Sequence, residues 1–245
     1  MRYVTFRFED HGEIVAVVER EEFVKQLPVE SMASVWKQEV YFSTDIELEG
    51  EATAVVEPGT VAYWPPGKAL CLFYGISQPY SPVIKLGTLL GPLYYLAWVD
   101  EGESVEVVEY RDYGRAGELA SRLRDKGLLA AARSWEDTES VIVLVKGVRA
   151  EIYIEDYGFP LESDALFIND NTALTRAFLS RLSKLAAGLA RLDINEEGHV
   201  IFSAFAKDEE ELIKALEDVA ACWRKAQEEL GELPCLPSPK TPPRG

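Results

Sequence analysis

The first 110 residues are cut by glycine, proline and acidic turns into short β-branched and aromatic runs. A chain punctuated this often has no room for long helices there and must pair short strands into a sandwich or a closed barrel. Val4, Phe6 and Phe8 alternate with Arg7 and Glu9, and Asp10-His11-Gly12 then turns the chain into Ile14–Val18, a hairpin signal. Glu21 to Leu27 reads as one short helix closed by Pro28. Trp36 to Phe42 reads as an extended aromatic and β-branched run. Thr53–Val56 and Val61–Trp64 flank the turn Glu57-Pro58-Gly59. Ala69–Tyr74 is continuously apolar and stops at Gly75, as a strand buried on both faces does. Val105–Tyr110 closes the series.

Near Gly114 the spacing becomes helical. Glu118–Gly127 puts Leu119 and Leu123 on one face. Ser140–Val145 and Val148–Ile154 flank Lys146-Gly147 as a tight hairpin. Asn171 or Thr172 can cap a helix carrying Leu174, Phe178, Leu182, Leu185 and Leu189. Arg191–Ile194, the turn Asn195-Glu196-Glu197-Gly198 and His199–Ala206 form a second hairpin. Asp208 with Glu211 is a capping box that opens a long helix, with Leu212, Leu216, Val219, Trp223, Ala226 and Leu230 on one stripe. Helix, about three strands, helix, hairpin, helix is the order of an α+β layer. The expected division is a closed β-barrel domain at 1–112, an α+β domain at 113–233 and a disordered proline-rich tail at 234–245.

The 245 residues, 47% of them apolar, suffice for two cores. No apolar run is long enough to span a bilayer. Met1–Glu9 alternates like a strand and lacks the charged lead and apolar stretch of a signal peptide, so a cytoplasmic protein is expected. Cys71, Cys222 and Cys235 are odd in number and far apart, which encodes neither a disulfide framework nor a thiolate zinc site. The formal net charge is −17, with −11 of it in residues 1–112. Phosphate binding needs clustered cations and no basic stripe is present, so nucleic acid and anionic membranes are not expected partners.

Three blocks carry a family resemblance. Leu27-Pro28 leads to Trp36 and to Glu39-Val40-Tyr41-Phe42. Pro58-Gly59 leads through Tyr63-Trp64-Pro65-Pro66-Gly67 into the apolar strand that ends at Gly75. Ser81-Pro82-Val83 leads to Gly87. In order and spacing these resemble a prokaryotic cyclophilin-like family of unknown function, over residues 1 to about 110. The resemblance implies an eight-stranded closed barrel. Active cyclophilins set an arginine against the prolyl amide to ease rotation about a bond with a barrier of about 18–20 kcal/mol. They surround it with Phe, Gln, Trp and His. Pro28–Phe42, which should supply the arginine, holds only Lys37, and lysine lacks the planar guanidinium fork. Neither His11 nor His199 falls where the histidine should; Gln38 matches in type alone. The second half resembles the YbjN-like and type III secretion chaperone fold. This rests on its element order, on Phe167-Ile168-Asn169-Asp170-Asn171 before the middle helix, and on the Leu189–Phe205 stretch. Members of that group bind other proteins and often pair as dimers.

The candidate ligand-pocket residues are Trp36, Glu39, Tyr41, Tyr63, Trp64, Pro65, Pro66, Phe73 and Tyr74. Aromatics ordinarily fill and rim a core, but a subset can line a slot for an apolar or prolyl group. Trp64-Pro65-Pro66-Gly67 is the rigid turn suited to a rim. Glu39 is expected as an exposed strand carboxylate; turned inward, its pKa would rise and it could act as acid or base. His11 and His199 are expected in turns with no second histidine or cysteine nearby, so no metal site, catalytic triad or cofactor site is read. The expected function is a non-catalytic cyclophilin-like binding protein for a peptide, small molecule or protein, fused to a protein-interaction domain able to form a homodimer. A weak peptidyl-prolyl isomerase is the alternative, and an enzyme of another class using Glu39 is the third reading.

Overall fold

The computed structural model describes residues 1–135 and 138–231, so the proline-rich stretch at 234–245 lies outside the described residues. The first half contributes β1 (Arg2–Phe8), β2 (Gly12–Val18), α1 (Glu21–Val24), β3 (Val29–Met32), β4 (Ser34–Trp36), β5 (Glu39–Ser43), β6 (Thr60–Trp64), β7 (Ala69–Phe73), β8 (Ile84–Leu89) and β9 (Ser104–Glu109). They hydrogen-bond in the order β3-β9-β1-β2-β8-β6-β7-β5-β4. β3 and β4 form one bent run broken at Ala33; its first part pairs with β9 and its second with β5. The sheet therefore comes round on itself into a nearly closed barrel, and Ser31 Oγ donates to Ser43 O across the join at 2.6 Å. Every second side chain points in, so Phe6, Phe42, Leu70, Leu72 and Leu86 share one core.

Three local expectations change. Trp36–Phe42 is a hairpin, because Lys37 turns the chain in the left-handed region at φ 57° and Tyr74 O–H clamps its carbonyl at 2.9 Å. Thr53–Val56 makes only one bridge, Thr53 to Val83, because the Thr53 hydroxyl accepts the Val55 N–H and curls the segment. The helix at Glu21 stops at Val24 rather than Leu27.

One buried acid fastens two turns of the barrel. Glu103, just before β9, accepts the N–H groups of Asp10 (2.8 Å), His11 (3.1 Å) and Asp100 (3.2 Å), and meets His11 Nδ1 at 2.7 Å. Glu103→Ala leaves these donors without an acceptor and is expected to lower unfolding stability by about 2–4 kcal/mol, measured in urea.

The second half contains α2 (Gly114–Asp125), β10 (Leu129–Trp135), β11 (Thr138–Val145), β12 (Val148–Tyr153), β13 (Phe159–Ser163), β14 (Phe167–Ile168), α3 (Ala173–Leu182), β15 (Arg191–Ile194), β16 (His199–Ala206) and α4 (Glu209–Gly231). It is an α+β layer with five strands, rather than about three, between its first two helices. The order is β10-β11-β12-β13-β16-β14, with β15 also on β16. Leu119, Leu123, Leu212, Leu216 and Val219 from α2 and α4 bury one face of this sheet. Thr172 caps α3 by accepting the Thr175 N–H at 3.3 Å. That helix ends at Leu182, so Leu185 and Leu189 lie beyond it; Gly188 there has φ 62°. Asp208 accepts the Glu211 N–H at 2.9 Å, while the Glu211 carboxylate takes the Lys207 N–H, one residue earlier than in the usual box. Among the described residues no helix is long and apolar enough to cross a membrane.

The other face of this sheet packs on the outside of the barrel, where Val15, Val17 and Leu90 meet Ala131 and Ile142. At Gly12 (φ 70°) a Cβ would stand 2.7 Å from Ser134 O, so the approach needs glycine. Arg149 reaches across to donate to Leu89 O (3.0 Å) and Thr88 Oγ1 (3.2 Å). Asp164, buried in the break between β13 and β14, accepts the N–H groups of Leu93 (3.0 Å) and Ala165 (2.9 Å). Burial pushes its carboxyl up from 3.8 to about 6, against the pull of Arg149 and these amides. Between those two pH values the folded chain keeps a proton that the unfolded chain has lost, so this contribution to stability falls as pH rises through the window. Asp164→Asn has no such slope. Relative to the parent, its unfolding free energy should gain about 1–2 kcal/mol on going from about pH 4.5 to about pH 7, followed by urea denaturation.

Candidate functional site

Strand alternation sends β5, β6 and β7 side chains to both faces. Val40, Phe42, Val61, Tyr63, Leu70 and Leu72 enter the barrel core. Glu39, Tyr41, Ala62, Trp64, Cys71 and Phe73 therefore point outward. That outer face is also covered, because Val56 and Val83 from the loops before β6 and β8 pack on Ala62, Cys71 and Phe73. Over this floor lies an open cavity of about 270 Å³ lined by Trp36, Glu39, Tyr41, Trp64, Pro79, Tyr80 and Val83.

Each wall is held by local chemistry. Trp64 Nε1–H donates to Ser81 Oγ at 2.7 Å. Its indole lies against Gly67, where a Cβ would come within 2.3 Å of the ring, so the Pro65-Pro66-Gly67 turn is shaped to admit it. Trp36 meets Tyr80 edge-on at 6.4 Å between centroids, and the Lys37 ammonium sits over the Trp36 ring at 4.0 Å. Glu39 is only 6% exposed. This overturns the exposed strand carboxylate expected from its type: the loops that cover the outer face enclose it. Burial raises its pKa, while the Cys71 thiol and Lys37 pull the other way. The slot thus offers apolar and π surfaces around one carboxyl that favours its neutral form more than an exposed glutamate does.

Of the nine residues singled out from sequence, the fold brings Trp36, Glu39, Tyr41 and Trp64 to this cavity. Tyr63 points into the barrel and donates to Ile46 O at 2.8 Å. Phe73 is buried in the floor, Pro65 and Pro66 stand exposed in the turn beyond Trp64, and Tyr74 is spent on Lys37 O. Gln38 is also used structurally, accepting the Ile76 N–H at 2.9 Å. Pro79, Tyr80 and Val83 complete the slot and were not anticipated, although an aromatic between Pro79 and Pro82 in a loop was a usable signal. His199 is not a bare turn residue: it is buried and stacks on Tyr94 at 4.4 Å.

The cyclophilin-like family model matches residues 2–108. A hypothetical protein from Archaeoglobus fulgidus, known as a solution structure, is 33% identical over 44% of this chain and 94% of its own length, with a TM-score of 0.39. No curated protein matches. Over residues 2–108, then, the chain is similar to the cyclophilin-like family.

Wall and rim differ in what their removal should cost. Ser81→Ala strips the indole N–H of its acceptor and is expected to lower stability by about 0.5–1.5 kcal/mol. Tyr80, 84% exposed, should be replaceable by Ala with a change below about 0.5 kcal/mol. Thermal unfolding of both variants checks the contrast.

Proposed function

We propose that this chain works by binding: the barrel slot takes up an uncharged or cationic apolar group, and the second half engages another protein. The observation that carries the first part is the make-up of the slot, four aromatic rings with Pro79 and Val83 around the single acid Glu39. Such a surface gains from burying apolar area and repels anions. Three of the four arginines of the barrel half are engaged elsewhere, and the fourth, Arg111, lies beyond β9 and is not among the residues that line the slot. Arg2 faces Glu109, Arg7 is held by Glu13 and Glu106, and Arg20 by Glu22. A prolyl group could dock in the slot, but among its lining residues no guanidinium stands ready to hydrogen-bond the amide nitrogen. This favours binding over peptidyl-prolyl isomerisation.

For the second half, support comes from its resemblance to protein-binding folds and from exposed apolar groups. Phe205 and Tyr157 stack on one another at 6.1 Å and remain 39% and 69% exposed. Pairing of two copies through this half belongs to the same proposal, and a monomeric mass by light scattering at working concentration would count against it.

The test uses the blocked, neutral peptide Ala-Ala-Pro-Phe as probe. Tryptophan fluorescence is expected to show saturable binding, lost in Trp64→Ala, while a protease-coupled assay shows no acceleration of prolyl isomerisation. Isomerisation that Trp64→Ala abolishes would establish the isomerase instead. Absence of binding to the parent protein would remove the slot's assigned role.

A further inference from the structure

A second cavity, of about 320 Å³, opens between the two halves, over the barrel-facing side of the second sheet. That face carries charge where its strands are otherwise apolar. Arg133 on β10 is 4% exposed and is only partly satisfied. Its Nε donates to Glu13 O at 2.8 Å, its Nη1 meets Glu151 at 3.0 Å, and its plane stacks on Tyr95 at 3.9 Å. Its Nη2 has no partner among the described residues, and the same holds for the buried Nε1–H of Trp135. Arg133 and Trp135 are two apart on one strand, so both lie on the face that lines the cavity.

A buried donor without an acceptor costs about 1–3 kcal/mol, and native proteins seldom keep one without a use. Here two such donors share one wall. The Arg133 charge is already balanced by Glu151, which also accepts from Tyr95 at 2.5 Å and from Ser140. The rest of the lining sets three acids, Glu162, Glu196 and Glu197, beside the neutral Thr138, Tyr153 and Asn195. Burial first, and then the crowding of Glu197 and Glu151, push the Glu162 carboxyl up to about 7. Among the described residues no group of three or more His, Cys, Asp or Glu is arranged to hold a metal ion. A simple anion would meet the acids, and a simple amine would leave the two N–H groups idle.

We propose that this cleft binds a small zwitterion of the α-amino acid class, its carboxylate on the free N–H groups of Arg133 and Trp135 and its ammonium against Glu162, Glu196 and Glu197. The cavity lies at the lower end of the range of small-ligand pockets, which suits one amino acid rather than a peptide. The site is separate from the barrel slot and does not depend on the function assigned to it.

The experiment titrates the intact protein with an equimolar mixture of the standard L-amino acids, and then with single ones, by calorimetry and thermal unfolding. Saturable heat and a raised melting temperature are expected. The N-acetylated set, lacking the ammonium, and the amide set, lacking the carboxylate, should each bind at least about tenfold more weakly. Trp135→Phe, which keeps the ring and removes the N–H, and Glu162→Gln, which keeps the shape, should each weaken the best amino acid by about fivefold to tenfold. No response to the mixture, equal response to either blocked set, or unchanged affinity in both variants would overturn the proposal. These two variants are chosen because removal of Arg133 would leave Glu151 buried without its counter-charge, and such a protein can fail to fold.

Discussion

A barrel strand has an inside and an outside, and this chain makes much of both apolar. β7 is buried along its whole length, and β2 turns Val15 and Val17 outward while Ile14, Ala16 and Val18 fill the core. Apolar surface left on the outside of a closed sheet has to be covered, and the chain covers it in two ways. Loops carrying Val56, Tyr80 and Val83 fold over β5, β6 and β7. β10 and β11 of the second sheet lie over β2. Both cavities of interest arise at the edges of these covers, where packing against a curved barrel leaves a gap.

The two covers differ in chemistry. The loop cover is short and brings prolines and aromatic rings, so its gap is apolar with a single carboxyl at the floor. The sheet cover is broad, and its contact face mixes an apolar patch with charged side chains. Arg133, Glu151 and Asp164 are buried and Arg149 half-buried, and all have partners in the barrel half or beside it. Burying charge costs more than a simple ion pair returns unless further hydrogen bonds complete it. Backbone groups of the barrel supply much of that completion: Glu13 O and Leu89 O accept from arginines and the Leu93 N–H donates to Asp164. The halves are thus matched by position, group to group, as well as by apolar area.

Much of the architecture was legible in the residues. The Asp10-His11-Gly12 and Lys146-Gly147 turns, the alternation of Val4, Phe6 and Phe8, the Thr172 cap and the stripe along α4 are local signals, and local geometry enforces them. The failures are local signals that a neighbour outweighed. Trp36–Phe42 looks like one strand, yet Lys37 turns it. The spacing from Leu174 to Leu189 looks like one helix, yet the chain breaks before Gly188. For the slot, aromatic density identified three lining residues, Trp36, Tyr41 and Trp64, but equally pointed at Tyr63 and Phe73, because alternation cannot tell which face a cavity will occupy until the loops are placed. Tyr80 escaped because its partners, Trp36 and Glu39, are about forty residues away in sequence.

By itself the sequence determined strand and helix periods, the turns that join them, the family likeness of the first half and the scarcity of cations near its aromatic run. These depend on neighbours within a few residues, and steric and hydrogen-bonding preferences act at that range. Tertiary structure alone decided that Glu39 is enclosed, that His199 is buried against Tyr94, and that Arg133 and Trp135 face the acids Glu162, Glu196 and Glu197. Burial and electrostatic environment are sums over groups brought together from the whole chain, and no short window of residues contains them.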